Sequence, residues 1–169
     1  MTGKKNFFVS ALLLSMLIMV TLFSGCELKN NNSYPVILLH GFLGWGRDEV
    51  GGPQFGHYHW GGYDDLQEIL NTSGHECHTA VVGPFSSNWD RACELYAQLK
   101  GLRTDYGLEH STANKHSRWG KDFTGKALLK NSGGEPDWGQ QGNHQKIHII
   151  AHSQGGHTAR MLAQLMEKG

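Results

Sequence analysis

The sequence has no excess of charge of either sign. Its 15 lysines and arginines balance 15 aspartates and glutamates over 169 residues, so bulk electrostatics give no reason to expect a nucleic-acid partner. Cysteine is scarce, with Cys26, Cys77 and Cys93 only. An exported chain could pair the last two, but Cys93 falls in a helical pattern and Cys77 beside a strand pattern, which disfavours a disulfide. The sequence contains no internal repeat.

The sequence also lacks an unbroken apolar run of the roughly 20 residues that a membrane-spanning helix needs. The run from Phe7 to Phe23 contains two serines and a threonine and follows two lysines, which predicts a secretory signal peptide over residues 1–26. Its end, FSGC, is similar to a bacterial lipobox, in which the cysteine, here Cys26, is lipidated after cleavage and anchors the protein to a membrane. Ordinary signal cleavage with secretion is the alternative. The polar run 27–34 then predicts a tether before a domain over 35–169.

Short apolar runs that alternate with amphipathic segments predict an α/β domain with a parallel sheet and flanking helices. The strands are expected in YPVILLHGF, HTAVVGP and KIHIIAHS. The helices are expected in GGYDDLQEILNTSG, SSNWDRACELYAQLKG and GGHTARMLAQLMEKG. For the second helix, the capping residues are Ser87, Asn88 and Gly101, and the inward positions are Ala92, Leu95, Tyr96 and Leu99. For the third, the inward positions are Met161, Leu162, Leu165 and Met166.

The motif that carries chemistry is AHSQG at positions 151–155, where an apolar strand meets an amphipathic helix. A nucleophilic serine on such a turn needs small neighbours because the turn is tight and strained, and Ala151 and Gly155 supply them. The N-terminus of the following helix favours an oxyanion beside the serine. These features predict Ser153 as the nucleophile on an α/β-hydrolase elbow. A loop that merely contains a serine is the alternative.

The segment HGF at the end of the first strand supports the elbow. Hydrolases of this class place one backbone donor of the oxyanion hole there and the other on the residue after the nucleophile. The N–H groups of Phe42 and Gln154 are therefore the predicted donors. His40 is then expected to orient the loop, and neither His152, which should point away from the elbow, nor His157 on the helix is a good candidate for the base.

Four segments together carry a family likeness: PVILLHGFLGWGRDE, VGPFSSNWDRACELYAQLKG, DYGLEHSTANKHSRWG and IHIIAHSQGGHTARML. They resemble the zinc-containing lipases of thermoalkalophilic bacilli, which have staphylococcal relatives. The likeness runs with interruptions from about Tyr34 to the end. It implies an α/β-hydrolase fold and a Ser-His-Asp triad that cleaves triacylglycerols and other carboxylic esters, so lipid esters are the implied substrates.

A second constellation consists of Asp90, His110 and His116, which offer ligand types that zinc prefers. Spacing alone is weak support, because 11 histidines provide such sets by chance. The resemblance strengthens it, because those lipases hold a structural zinc with an aspartate of the NWDRA helix, two histidines of a following insertion, here about residues 101–125, and a later aspartate. It implies three zinc ligands in this chain, with the two histidines expected on a loop and the fourth ligand beyond Gly169.

The acid and the base of a triad have no good candidates after Ser153. The only acidic residue there is Glu167 and the only histidine is His157, and both belong to the elbow helix. In α/β-hydrolases the triad acid and histidine follow the nucleophile along the chain. The resemblance therefore implies that the triad Asp and His, the calcium site and the lid belong to a C-terminal half that this sequence lacks.

We accordingly expect the N-terminal portion of a lipase, poorly stable and nearly inactive by itself. A non-catalytic, metal-binding envelope lipoprotein is one alternative. An intact small hydrolase with an unrecognised base is the other. His57 and His59 form an H-x-H pair that could bind a metal, but we expect them on a solvated loop.

Overall fold

The computed structural model describes residues 34–50, 52–139 and 146–168. The predicted signal peptide with Cys26, the tether apart from Tyr34, and the end of the polar loop before the third predicted strand lie outside these residues. None of the helices in the three described stretches is long and apolar enough to cross a membrane. In chain order the elements are β1 (Val36–Leu39), α1 (Gly52–Phe55), α2 (Leu66–Thr72), β2 (Cys77–Ala80), α3 (Asn88–Lys100), β3 (Arg103–Asp105), α4 (Leu108–Asn114), β4 (Trp119–Asp122), β5 (His148–Ala151) and α5 (Gln154–Lys168).

A three-stranded parallel sheet with β1 at its centre organises the described residues. β1 pairs with β2, with Val36 opposite Cys77, and with β5, with Val36 opposite His148. All four β1 residues are buried, as expected for a parallel strand with neighbours on both edges and layers on both faces. α2 packs against one face of the sheet, and α3 and α5 pack against the other. The predicted parallel sheet with flanking helices is confirmed.

Two strands differ from the prediction in detail. β2 ends at Ala80, and the next two residues form a loop because their N–H groups bond the side chains of Gln98 (2.9 Å) and His40 (3.3 Å) instead of a strand. β5 has no fully buried residue, although a continuous apolar run of this kind is typical of a buried parallel strand: His148 and Ile150 are exposed, Ile150 to 49%, and Ile149 and Ala151 are half-buried. Within the described residues β5 pairs only with β1, and Ile150 faces away from the core that its neighbours Ile149 and Ala151 contact.

The helix α3 begins and ends where the sequence predicts. Ser87 is its N-cap and accepts a hydrogen bond from the Asp90 N–H at 3.1 Å, while Gly101 ends it with φ 66°. Three of the four predicted inward residues, Ala92, Leu95 and Leu99, are fully buried. The prediction is wrong for Tyr96, which is 36% exposed. The rest of the buried face consists of alanine and polar side chains: Arg91, Glu94, Ala97 and Gln98.

The other two predicted helices also form. α5 buries Leu162, but Met166, predicted to face inward, is 51% exposed. Met166 borders a cavity of about 640 Å³ that also has Trp138 and residues of α3 in its wall, so the described residues leave this end of α5 uncovered. α2 begins after Asp65, whose carboxylate accepts the Glu68 N–H at 3.2 Å.

Cys77 and Cys93 are free thiols in this structure. Burial raises the pKa of Cys77 to about 11 and that of Cys93 to about 12. Both groups are therefore protonated at neutral pH and poor nucleophiles. The absence of a disulfide agrees with the helical and strand positions that disfavoured one.

Candidate active site and metal centre

Ser153 lies on a sharp turn between β5 and α5. Its φ is 54°, a left-handed conformation that costs a non-glycine residue about 1–2 kcal/mol. The turn is held by backbone hydrogen bonds from the Gly155 N–H to the His152 carbonyl (2.9 Å) and from the His152 N–H to the Leu39 carbonyl (3.1 Å). The side chain of Ser153 is exposed. The serine thus has the strained, outward position that the AHSQG motif predicts.

Two glycines allow the end of β1 to pass directly beside this turn. A Cβ on Gly155 would lie 2.5 Å from the Leu39 carbonyl oxygen. A Cβ on Gly41 would lie 2.7 Å from the His152 carbonyl oxygen and 2.8 Å from the Ser153 Cβ. All three distances are shorter than real Cβ contacts, so only glycine fits at either position. The loop that carries Phe42 is therefore in direct contact with the serine turn.

Within the described residues, neither the Phe42 N–H nor the Gln154 N–H donates a hydrogen bond to another residue. By contrast, the N–H of Leu43, the residue after Phe42, donates to the Pro84 carbonyl at 3.1 Å. The Gln154 nitrogen is 3.1 Å from the place a Cβ on Gly41 would take. Two unpaired donors therefore flank the serine, and their assignment to an oxyanion hole remains a prediction.

In the described part of the chain, the histidines near the turn make no hydrogen bond to the serine hydroxyl. Among the described residues, no histidine or carboxylate is hydrogen-bonded to Ser153. His40 is fully buried, with Nδ1 2.9 Å from the Gly41 carbonyl oxygen and Nε2 accepting the Val82 N–H. Burial lowers the pKa of His40 below its usual value, so the ring is neutral and orients the loop, in agreement with the prediction.

Three residues around the turn have surroundings that the sequence does not predict. His59, read as part of a solvated loop, is half-buried, with its ring 5.0 Å from that of Trp45 and 6.0 Å from that of His152. Arg91 and Glu94 of α3 are buried and bond loop backbone beside the turn. Their spacing in the sequence, on one helix face with Gln98, was the available signal, but polar residues at such positions are usually read as a solvated face.

Asp90, His110 and His116 come together as predicted. One carboxylate oxygen of Asp90 lies 3.1 Å from His110 Nε2 and 3.6 Å from His116 Nε2, and the three donor atoms lie within 4.8 Å of one another. His116 is on a loop as expected, but His110 is on α4, so the prediction of two loop histidines is half wrong. Two imidazoles and one carboxylate in this arrangement fit a tetrahedral zinc ion with one further ligand.

Neighbouring groups hold these ligands in place. The Ser87 hydroxyl donates to the second carboxylate oxygen of Asp90 at 2.8 Å. His116 Nδ1 lies 2.8 Å from the Ser117 carbonyl oxygen, which favours the tautomer with a free Nε2 lone pair. Trp89 stacks on the His110 ring at 4.8 Å. Each of these three candidate ligands therefore has a partner that limits its rotation.

Known structures share this architecture. Lipase 1 from Pelosinus fermentans is 50% identical, with a TM-score of 0.68 over 79% of this chain and 32% of its own. EstA from Clostridium botulinum is also 50% identical, with a TM-score of 0.65 over 79% of this chain and 28% of its own. The parallel sheet and its helices are thus those of a lipase fold.

The sequence comparisons give the family. Residues 32–169 match the family model described as "Lipase-like, C-terminal domain", and the chain belongs to this family. A relative named lipase, from Staphylococcus epidermidis, is 40% identical over 144 residues, which are 85% of this chain and 19% of the relative. The predicted resemblance to lipases with staphylococcal members is confirmed. The chain spans about a fifth of the length of that curated relative.

Proposed function

We propose that this chain carries the nucleophile and the oxyanion hole of an α/β-hydrolase that cleaves carboxylic esters of lipids, with triacylglycerols as the substrate class. The observation that carries the proposal is the turn at Ser153. There a serine with a left-handed backbone conformation, the N-terminus of α5 and the N–H groups of Phe42 and Gln154, which have no hydrogen-bond partner among the described residues, lie together.

In the proposed reaction the Ser153 Oγ attacks the ester carbonyl carbon, and the carbonyl oxygen becomes an oxyanion. The N–H groups of Phe42 and Gln154 donate to that oxygen, and the N-terminus of α5 adds a favourable field. The serine proton passes to a histidine oriented by an aspartate, which the family resemblance implies. The described residues provide no such pair at Ser153, so our assignment to this chain is limited to the nucleophile and the donors.

A lipid substrate is supported by the surface next to the turn. Phe42 and Leu43 are each 57% exposed and Phe85 is 70% exposed. The rings of Phe42 and Phe85 meet edge to face at 5.6 Å, so an apolar surface borders the serine. An acyl chain gains free energy by covering such a surface. The relatives named lipases also favour ester hydrolysis over a non-catalytic envelope protein.

We further propose that Asp90, His110 and His116 hold a structural zinc ion, with a later aspartate as the fourth ligand that the resemblance implies. The ion would tie α3 to α4 and to the loop after it. The same resemblance places the family's calcium site after the residues of this sequence, so we assign no calcium ligand here.

The domain organisation remains part of the proposal. It comprises an export signal over residues 1–26, lipidation of Cys26, a tether over 27–34 and a catalytic domain from residue 35 with the metal-binding insertion at about 101–125. With the proposed export signal, the protein would be either a cell-envelope lipoprotein or a secreted enzyme. If it is a lipoprotein, the lipid on Cys26 would anchor it to the membrane.

The proposal is tested by labelling the full chain with a fluorophosphonate in the presence of added imidazole, which supplies the base that the described residues do not place at Ser153. Mass spectrometry should place the label on Ser153, and Ser153→Ala should abolish it, while alteration of an exposed serine such as Ser132→Ala should not. Labelling that persists in Ser153→Ala, or an unlabelled wild-type chain, would contradict the proposal.

A further inference from the structure

Arg91 is fully buried, and its guanidinium binds three separate elements. Its Nε donates to the Thr158 hydroxyl of α5 at 3.0 Å, its Nη1 donates to the Gly83 carbonyl at 2.6 Å, and its Nη2 donates to the His40 carbonyl. Every guanidinium nitrogen is therefore used. A buried arginine with fixed partners on three elements is suited to hold backbone in place, because its planar donors have a rigid geometry.

One side of this arrangement fixes the loop that carries Phe42. His40, whose carbonyl Arg91 binds, is two residues before Phe42. Gly83, whose carbonyl Arg91 also binds, precedes Pro84, and the Pro84 carbonyl accepts the Leu43 N–H at 3.1 Å. The backbone on both sides of Phe42 is thus connected to the same guanidinium.

The other side fixes the first turn of α5. The Thr158 hydroxyl accepts from Arg91 and itself donates to the Gln154 carbonyl at 3.2 Å. The Gln154 side chain in addition donates to the Ser86 carbonyl at 3.2 Å, on the loop that follows Gly83. The residue that carries the second predicted donor is therefore connected to Arg91 through one hydroxyl.

We propose that Arg91 is a positioning residue that sets the Phe42 and Gln154 N–H groups relative to each other, so that both point at one oxyanion. The proposal rests on the proposed function, because it assumes that these two N–H groups form the oxyanion hole. The claim that Arg91 fixes their positions does not depend on that assumption. Removal of Arg91 must move both N–H groups, whether or not the serine reacts.

The test compares Arg91→Met with Arg160→Met, which removes an exposed arginine of α5. Amide ¹H–¹⁵N signals of the full chain are recorded, together with the rate of fluorophosphonate labelling of Ser153 in the presence of added imidazole. In Arg91→Met the signals of Phe42 and Gln154 should both shift, and labelling should slow at least ~10-fold, less than the 10²–10³-fold loss when an oxyanion donor is removed outright. Arg160→Met should change neither.

Two further variants keep the test decisive. Arg91→Lys retains the charge but cannot bind three elements, so labelling should stay slow; full recovery would overturn the proposal in favour of charge alone. Thr158→Val removes the connection to Gln154 and leaves both carbonyl acceptors of Arg91 in place, so the Gln154 signal should shift more than that of Phe42. This variant decides the matter if Arg91→Met does not fold. Unmoved Gln154 in Thr158→Val, or unmoved signals in a folded Arg91→Met, overturns the proposal. An unlabelled wild-type chain would instead contradict the proposed function.

Discussion

The serine turn is built from backbone, whereas the Asp90 cluster is built from side chains. At the turn, a left-handed serine and two closely packed glycines bring β1, β5 and α5 together, and the predicted donors are main-chain N–H groups. At the cluster, three side chains that are 20 and 6 residues apart in sequence meet at one carboxylate oxygen. The turn lies against the sheet, and the cluster consists of half-buried Asp90 on α3, half-buried His110 on α4 and exposed His116 on the following loop.

This difference determines which substitutions each site tolerates. A backbone site fails when an added atom displaces the chain, even if no functional group is lost. A side-chain site fails when a donor atom is lost, even if the fold is unchanged. Stability measurements should therefore report on the turn, and metal-binding measurements should report on the cluster.

The largest effect on stability is expected from one methyl group at the turn. In Gly155→Ala the new Cβ would lie 2.5 Å from the Leu39 carbonyl oxygen, and the backbone atoms on both sides have little room to move. We expect the free energy of unfolding to fall by about 3 kcal/mol, the upper end of the cost of overpacking, as measured by urea unfolding of the full chain.

The neighbouring residue is the matched control for this substitution. A Cβ on Gly156 would meet nothing within 4 Å, and alanine is favoured over glycine inside a helix by about 0.8–1 kcal/mol. Gly156→Ala should therefore be neutral or stabilising. Equal stabilities for the two alanine variants would show that the turn can relax around an added methyl group. The serine turn would then not be the site that fails when an atom is added.

The next effect concerns metal binding at the cluster. Asp90→Asn keeps the shape of the side chain but removes the charge that both histidines face, so zinc affinity should fall by about 100-fold or more. A competition titration with a chromophoric chelator measures this. Glu109→Gln removes an exposed carboxylate on α4 and should leave the affinity unchanged.

Zinc should also stabilise the wild-type fold. At a free zinc concentration of 100 times the dissociation constant, binding to the folded state alone adds about 2.7 kcal/mol. The thermal midpoint of the wild-type chain should therefore rise with zinc and fall with a chelator, whereas that of Asp90→Asn should respond little. An equal response in both would place the ion elsewhere.

A smaller effect on both the stability of the fold and its zinc affinity is expected from Ser87. Ser87 caps α3 and also binds the Asp90 carboxylate, so Ser87→Ala should cost about 1 kcal/mol of stability and about 10-fold in zinc affinity. Ser87→Thr keeps the hydroxyl and should retain most of both. If Ser87→Ala lowers stability without changing zinc affinity, the hydrogen bond to Asp90 does not orient the ligand.

The sequence predicted those parts of the molecule that follow local rules. The ends of α3 were identified from Ser87 and Gly101, and its apolar positions from helical spacing, because capping and amphipathicity depend on neighbours in the chain. Arg91 and Glu94 were missed because their partners are loop backbone groups from distant segments. The spacing of residues along the helix does not distinguish a buried arginine that binds two carbonyls and a hydroxyl from a solvent-exposed arginine.

The candidate site residues divide in the same way. The tight turn at Ser153 was predicted because the elbow is a local motif, and the left-handed φ of Ser153 agrees with that motif. The meeting of Asp90 with His110 and His116 was inferred from family likeness, since their spacing alone is common in a histidine-rich chain. The exposure of Ile150 and Met166 could not be predicted, because it depends on which elements cover β5 and α5 and not on their own patterns.

The smallest expected effect is a pH dependence of stability that comes from His40, beside the serine turn, and not from the Asp90 cluster. Burial lowers the pKa of His40 from its usual value of 6.5, and the nearby Arg91 charge acts in the same direction. The unfolded chain therefore binds more protons than the folded chain as the pH falls below about 6.5, and the stability that neutral His40 contributes above this pH is lost in acid. In a buffer with a chelator, which removes any contribution of bound zinc, His40→Asn should be less stable at pH 7.5 but should show a shallower loss between about pH 6.5 and 5. His157→Gln, at an exposed position on α5, should leave the wild-type slope unchanged. An unaltered slope in His40→Asn would assign the acid sensitivity to another group, with His59 as the first candidate because burial lowers its pKa too.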